Sequence, residues 1–250
     1  MKKSKSAIEF DVLTIFPKIF DSYLGESLFK RAIKNGLVKI GTINLRNFSD
    51  DKHQKVDDRP FGGGPGMVFK IEPIYKAVQF VLPVGTVGNV GIEQLKQAQR
   101  LNKRSDRTIR TRIILFSTRG KKLDNKSAKR LAAYDKLILI CGRYEGVDER
   151  VAEHIADEEI SIGDYVLSGG ELPAMVLMES VSRFIPGFLG KEESLEDVRG
   201  SFPAYTRPEV FFPKKLKPKS LKPKAGWDVP KVLLSGNHKK INEWRARFGR

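Results

Sequence analysis

Apolar positions in this chain follow two rhythms. Ile8–Ile15 is a mostly apolar run ended by Phe16-Pro17, the pattern of a buried strand. Ser27–Lys34 instead spaces Leu28, Phe29, Ala32 and Ile33 at helical intervals, and Asn35-Gly36 stops it. Leu37–Leu45 returns to a strand-like pattern, and a polar, glycine-rich loop follows from Asn47 to Gly66. Helix resumes near Glu72-Pro73, where proline suits a first turn. The alternation then repeats. Arg112–Phe116 and Lys136–Cys141 read as strands; Asp124–Ala133, Asp148–Ile155 and Glu171–Phe184 read as helices. Strands alternating with helices predict an α/β fold with a mainly parallel sheet.

After Pro186-Gly187 the pattern changes. Residues 190–230 are rich in charge and proline and read as a linker and exposed loops. The Lys/Pro run at 213–224 is of low complexity and too prolyl for a helix. A last helix, Asn237–Phe248, places Ile241, Trp244 and Phe248 on one face. A length of 250 residues suffices for one good core or two modest ones. The longest clean apolar run, Leu137–Cys141, is far too short to span a bilayer, and nothing near Met1 resembles a secretion signal. The lone Cys141 has no partner for an internal disulfide. These features predict a cytoplasmic protein without a membrane partner.

Charge changes the picture. Lys and Arg number 46 against 30 Asp and Glu, a formal charge of +16, which predicts a polyanionic partner. Much of the excess sits in two runs. Residues 94–112 hold seven basic residues against Asp106 alone, and residues 214–224 hold six lysines and no acid. Either run alone would pass for a solvated loop; together they favour RNA or DNA.

Three loops are candidates for chemistry. Asp57–Met67 has four glycines in five positions, which lets backbone approach a ligand and aims N–H groups at an anion, unless the loop is merely flexible. It lacks the Lys and Ser/Thr of a P-loop. Cys141–Arg150 follows a buried strand, where open α/β sheets bind ligands; Arg143 and Glu145 there hold a charged ligand or one another. Ser161–Pro173 enters a helix through glycines, and its Ile162 and Leu167 suit the enclosure of an adenine. The three histidines lack zinc spacing, and neither a nucleophile elbow nor a dinucleotide fingerprint occurs. Cys141 reads as a small buried hydrophobe.

These segments, with Phe10–Pro17, Leu137–Arg150, Glu159–Pro173, Tyr205-Thr206-Arg207-Pro208 and Leu233–His238, closely resemble the bacterial tRNA (guanine-N1)-methyltransferases, the TrmD family, in order from about residue 8 to 245. The resemblance implies a trefoil-knotted SPOUT methyltransferase domain over 1–188, a linker over 189–204 and a shortened helical tRNA-binding domain over 205–250. It implies an obligate homodimer with active sites between subunits. It also implies methyl transfer from S-adenosylmethionine to N1 of guanosine at tRNA position 37. The cofactor residues it implies are Ser117, Gly120, Gly142, Tyr144, Glu145, Gly146, Ile162, Gly163, Tyr165, Leu167, Gly169, Gly170 and Pro173. Asp58, Gly63, Gly64, Ser194, Tyr205 and Arg207 are implied at the substrate. Asp197 is implied as general base, with Arg183 and Glu145 as its catalytic partners and magnesium assisting.

The sequence also departs from the family pattern. The usual serine-proline-glutamine-glycine turn is Ser117-Thr118-Arg119-Gly120 here. The linker between Asp197 and Tyr205 is short, which leaves Glu196 open as the base. Residues 96–111 and 213–226 are basic insertions, and the chain ends soon after Trp244, so the lysine-rich run is expected to replace RNA contacts of a cut-down C-terminal domain. The alternative is a tRNA-binding homologue impaired in catalysis, against which stand Arg183, Asp197 and Glu145. Another SPOUT enzyme acting on ribose or a different base is disfavoured by the Asp57–Met67 and Tyr205–Pro208 segments.

Overall fold

The computed structural model describes residues 7–82, 109–190, 202–212 and 226–247. The chain forms two compact units, Met1–Gly190 and Lys191–Arg250.

In the first unit, β1 (Ile8–Thr14), β2 (Val38–Asn44), β5 (Thr111–Lys122), β6 (Lys136–Ile140) and β7 (Glu158–Ser161) form one sheet in the order β2-β1-β6-β5-β7. Every pairing is parallel. The α/β class read from the sequence therefore holds. Helices cover both faces: α1 (Ser27–Lys34), α3 (Asn125–Leu131) and α5 (Glu171–Ser182) on one, α2 (Ile71–Val81) and α4 (Arg150–His154) on the other. β6 shows why its run is apolar without interruption. Leu137 and Leu139 enter one core, Ile138 and Ile140 the other, and all five of its residues are buried. Each such side chain removed from water stabilises the fold by roughly 1.5–3 kcal/mol.

Local signals set the helix ends. Asp124 caps α3 by accepting a hydrogen bond from the Ser127 N–H at 2.7 Å. Polar pairs set the amino edge of the sheet. Lys136 Nζ lies 2.7 Å from Glu9 Oε1 and 2.5 Å from Asp11 Oδ2. Burial pushes the Asp11 carboxyl up, and Lys136 only partly offsets this.

Two differences from the sequence reading matter for the site. β5 does not end at Phe116. Its register against β7 shifts between Phe116 and Lys121, so the chain bows out at Ser117–Gly120 and then pairs again. β7 itself is missing from the sequence reading because Glu158-Glu159 breaks any apolar run. It forms because Arg112 and Arg130 neutralise Glu158. Burial alone would raise the Glu158 pKa, but hydrogen bonds from these two guanidiniums outweigh it and hold the carboxyl below its usual range. A short antiparallel pair, β3 (Asp57–Asp58) and β4 (Val68–Phe69), brackets the glycine-rich loop.

Within the second unit, β8 (Val210–Phe211) pairs antiparallel with β9 (Trp227–Asp228), a pairing absent from the reading of 190–230 as linker and loops. α6 (Lys231–Leu234) and α7 (His238–Ala246) follow. Asn237 caps α7 through Lys240 N, Ile241 is buried, and the Trp244 ring lies 6.2 Å from that of Tyr205. Phe248 lies outside the described residues, as do nearly all of the two basic insertions.

Candidate functional site

The carboxyl ends of β5, β6 and β7 open on a cavity of about 530 Å³. Three loops wall it: the Ser117–Arg119 bow, Gly142–Val147 after β6, and Ser161–Gly170 leading into α5. Of the expected cofactor residues, twelve line this space: Ser117, Gly142, Tyr144, Glu145, Gly146, Ile162, Gly163, Tyr165, Leu167, Gly169, Gly170 and Pro173. Gly120 does not. It lies where β5 crosses β7, and a Cβ there would stand 2.6 Å from the Glu159 carbonyl carbon.

The loops are locked to one another by backbone. Gly170 N–H donates to the Gly142 carbonyl at 2.9 Å, and a bridge joins Arg143 to Gly169. Only glycine fits at 170, since a Cβ would lie 2.7 Å from Cys141 Cα. On the other side, Glu145 N–H donates to the Met67 carbonyl and Phe69 N–H to the Gly146 carbonyl. Gly66 makes room there for the Glu145 side chain, whose Cγ would meet a Cβ at 2.5 Å. The glycine-rich loop thus buttresses the loop after β6. Between these supports Tyr144 takes a φ of +61°, a conformation that costs a non-glycine residue free energy and concentrates at functional sites. Its ring packs edge-on against Phe69 at 5.4 Å.

Beneath the cavity runs a buried polar chain. Thr14 Oγ donates to Glu171 Oε1 at 2.7 Å, and Glu171 Oε2 accepts from Arg143 Nε at 3.0 Å. Glu171 is only 2% exposed. The Arg143 guanidinium also stacks over Phe16 at 4.7 Å. The carboxylate partner of Arg143 is Glu171 and not Glu145. That partner lies 28 residues away and escaped the sequence reading. Burial, with the nearby Glu171 charge, drives the Cys141 thiol well above its usual range, which makes it inert, as read.

Charged groups line the cavity that the sequence reading did not assign: Arg119, Glu149 and Glu159. Arg119 Nη2 lies 2.7 Å from Glu149 Oε2 and 4.0 Å from Glu159 Oε2. The walls suit a nucleoside with a charged tail. Ile160, Ile162, Leu167 and Pro173 supply apolar surface, glycines admit close approach, and five acidic or basic groups join the lining.

A second, larger cavity of about 1120 Å³ adjoins the first, sharing Val147 and Glu149, and is lined by Asp58, Arg59, Phe61, Lys70 and Arg150 among others. The Arg59 backbone N–H and the Lys70 ammonium, 3.3 Å away, hold the exposed Asp58 carboxyl below its usual range. Gly63 and Gly64 sit in the exposed turn nearby with open space around their Cα atoms. Arg183 caps the far end of α5 and has no carboxylate partner among the described residues. Tyr205 and Arg207 belong to the second unit, Arg207 preceding a cis Pro208. Ser194, Glu196 and Asp197 lie outside the described residues.

The family model described as tRNA (Guanine-1)-methyltransferase TrmD matches residues 8–249. The tRNA (guanine-N(1)-)-methyltransferase of Dehalococcoides mccartyi (strain CBDB1) is 46% identical over 245 residues, which is 96% of this chain and 85% of that protein. The protein of that name from Clostridioides difficile (strain 630) is 42% identical over 243 residues, covering 95% of this chain and 90% of the relative. Its counterpart from Geobacter sulfurreducens is 42% identical over 245 residues, 96% of this chain and 85% of the relative.

Proposed function

The chain belongs to the tRNA (guanine-1)-methyltransferase TrmD family, and from that premise we propose that it methylates N1 of guanosine in tRNA, at position 37, using S-adenosylmethionine. One observation carries the cofactor assignment: the Ser117–Arg119 bow and the loops Gly142–Val147 and Ser161–Gly170 line a single cavity at the carboxyl edge of a parallel sheet. When bound there, S-adenosylmethionine supplies the methyl group. Ile162, Leu167 and Pro173 would enclose the adenine, and the Gly142 and Gly169–Gly170 backbone would meet its polar edge.

Guanine N1 is protonated at neutral pH and is a poor nucleophile until that proton leaves. Asp197 takes it, and Arg183 stabilises the negative charge that develops on O6. Glu145 sits in the cofactor cavity, held by Gly66, and orients the reacting groups. Magnesium assistance rests on the family resemblance alone. No cluster of three potential ligands occurs among the described residues.

The length of α5 supports a homodimer. Arg183 lies thirteen residues beyond Gly170 along α5, about 20 Å at 1.5 Å per residue. In a dimer it would serve a cofactor cavity of the second copy. An apolar face supports that pairing: Leu172 and Val176 of α5 are exposed, beside Phe16, Ile19 and Tyr23 of the neighbouring turn. Residues 1–188 would form the knotted catalytic domain, 189–204 the linker that brings Asp197 and Ser194 to the substrate, and 205–250 a shortened helical domain for tRNA. Asp58, Gly63 and Gly64 of the glycine-rich segment, with Tyr205 and Arg207, would contact the RNA. No helix among the described residues is long and apolar enough to cross a membrane.

The test is direct. Purified protein is incubated with S-adenosylmethionine, magnesium and unmodified tRNA bearing G37, and the digested nucleosides are identified by mass spectrometry. N1-methylguanosine that disappears with Asp197→Ala supports the reaction and the base together. Product that survives the substitution moves the base to Glu196 or another group. Bound tRNA with no methylated nucleoside would sink the enzyme reading.

A further inference from the structure

Two cations line the cofactor cavity, and they are held differently. Arg143 is fixed by the buried Glu171 and by the Phe16 ring, so it cannot turn without stranding a buried charge. Arg119 is 65% exposed and its main partner, Glu149, 55% exposed. Both Glu149 and the more distant Glu159 line the same cavity, so the Arg119 guanidinium is already aimed along its wall. An exposed pair of this kind is held weakly. If Glu149 is displaced, its carboxylate stays in water.

The sulfur-bearing end of S-adenosylmethionine carries an α-carboxylate, which matches a planar guanidinium in shape and charge. We propose that Arg119 recognises this carboxylate, exchanging Glu149 for it when the ligand enters. The inference rests on the cofactor reading above and deepens it. Glu149 is then a built-in competitor that occupies the anion position while the cavity is empty of ligand. Once Arg119 has turned, the carboxylates of Glu145 and Glu159 remain to face the ligand's ammonium group. The departure Ser117-Thr118-Arg119-Gly120 thereby acquires a role: the bow in β5 holds out a cation that reads the amino-acid end of the ligand.

The experiment is a calorimetric titration of the full chain with S-adenosylmethionine and with its decarboxylated form. The unaltered protein is expected to prefer the carboxylated ligand roughly tenfold. Arg119→Gln should abolish the preference by weakening that ligand alone, and Arg119→Lys should restore part of it. Glu149→Gln should tighten S-adenosylmethionine roughly threefold and leave the decarboxylated form unchanged. Equal binding of both ligands by the unaltered protein overturns the inference and leaves the cofactor reading standing. So does a uniform loss of affinity for both in Arg119→Gln. Binding of neither ligand by the unaltered protein overturns the cofactor reading and this inference with it.

Discussion

The two edges of the parallel sheet carry similar residue types and use them in opposite ways. At the amino edge charges satisfy one another. Arg112 and Arg130 close on Glu158, Lys136 on Glu9 and Asp11, and Arg110 on Asp135. At the carboxyl edge Glu145, Glu149 and Glu159 face a cavity, Tyr144 is strained, and Arg143 is tied into a network with the buried Glu171. The first arrangement fixes strand register. The second leaves charge and conformational tension available to a ligand. Parallel sheets encourage this division, because helix N-termini and loops after the strands gather at the carboxyl edge.

The comparison can be broken from the functional side first. Arg183→Ala should lower kcat by roughly a hundredfold or more while leaving S-adenosylmethionine affinity intact, as single-turnover kinetics and calorimetry would show. An equal loss of cofactor binding would give Arg183 a part in holding the cofactor and break its assignment to the guanine alone. Next in size is Glu171→Ala, which strips Arg143 and the buried Thr14 hydroxyl of the carboxylate they share. We expect a loss of about 3–5 kcal/mol in stability together with weakened cofactor binding, read by denaturant melts and calorimetry. A smaller effect is expected from Gly170→Ala. Its Cβ would press on Cys141 Cα and part the two ligand loops, costing roughly 1–3 kcal/mol. An unchanged melting temperature would show that the contact is not tight.

The amino edge supplies the smallest and most pH-specific test. Glu158 has a folded-state pKa held below its usual range, so its contribution is present above the unfolded pKa and lost as pH falls through the folded one. Glu158→Gln should cost about 1 kcal/mol at pH 7. The gap in Tm between variant and parent should close on acidification below the usual glutamate range. A gap that stays constant with pH would show that the carboxylate's charge is not what stabilises β7.

Much of this division was legible in the chain, because periodicity reports burial. The limits of α1 coincide with the predicted Ser27–Lys34, and β6 with the apolar run from Lys136, since both elements meet one consistent environment along their length. β7 escaped because its outward glutamates are tolerable only beside two arginines from other elements. The second unit's β8–β9 pair escaped because two-residue strands have no period to detect. At the site, the loops after Cys141 and Ser161 were readable from glycine content and resemblance to the family, and the turn after Phe116 from the resemblance alone. Their charged occupants were not equally readable. Arg119 stood out as a departure, whereas Glu149 and Glu159 carry no local signal that separates them from surface acids.

By itself the sequence determined the alternation of strand and helix, the buried faces, the family and the polyanion-seeking charge, all of which depend on residue type and spacing. The tertiary structure alone decided which charges close on each other and which stay open. Thr14 and Glu171 are 157 residues apart, yet they meet at 2.7 Å because strand order in the sheet is not chain order. Whether a carboxylate serves as a structural partner or as part of a ligand site depends on the dielectric and the neighbours it meets in space, and these exist only once the sheet has assembled.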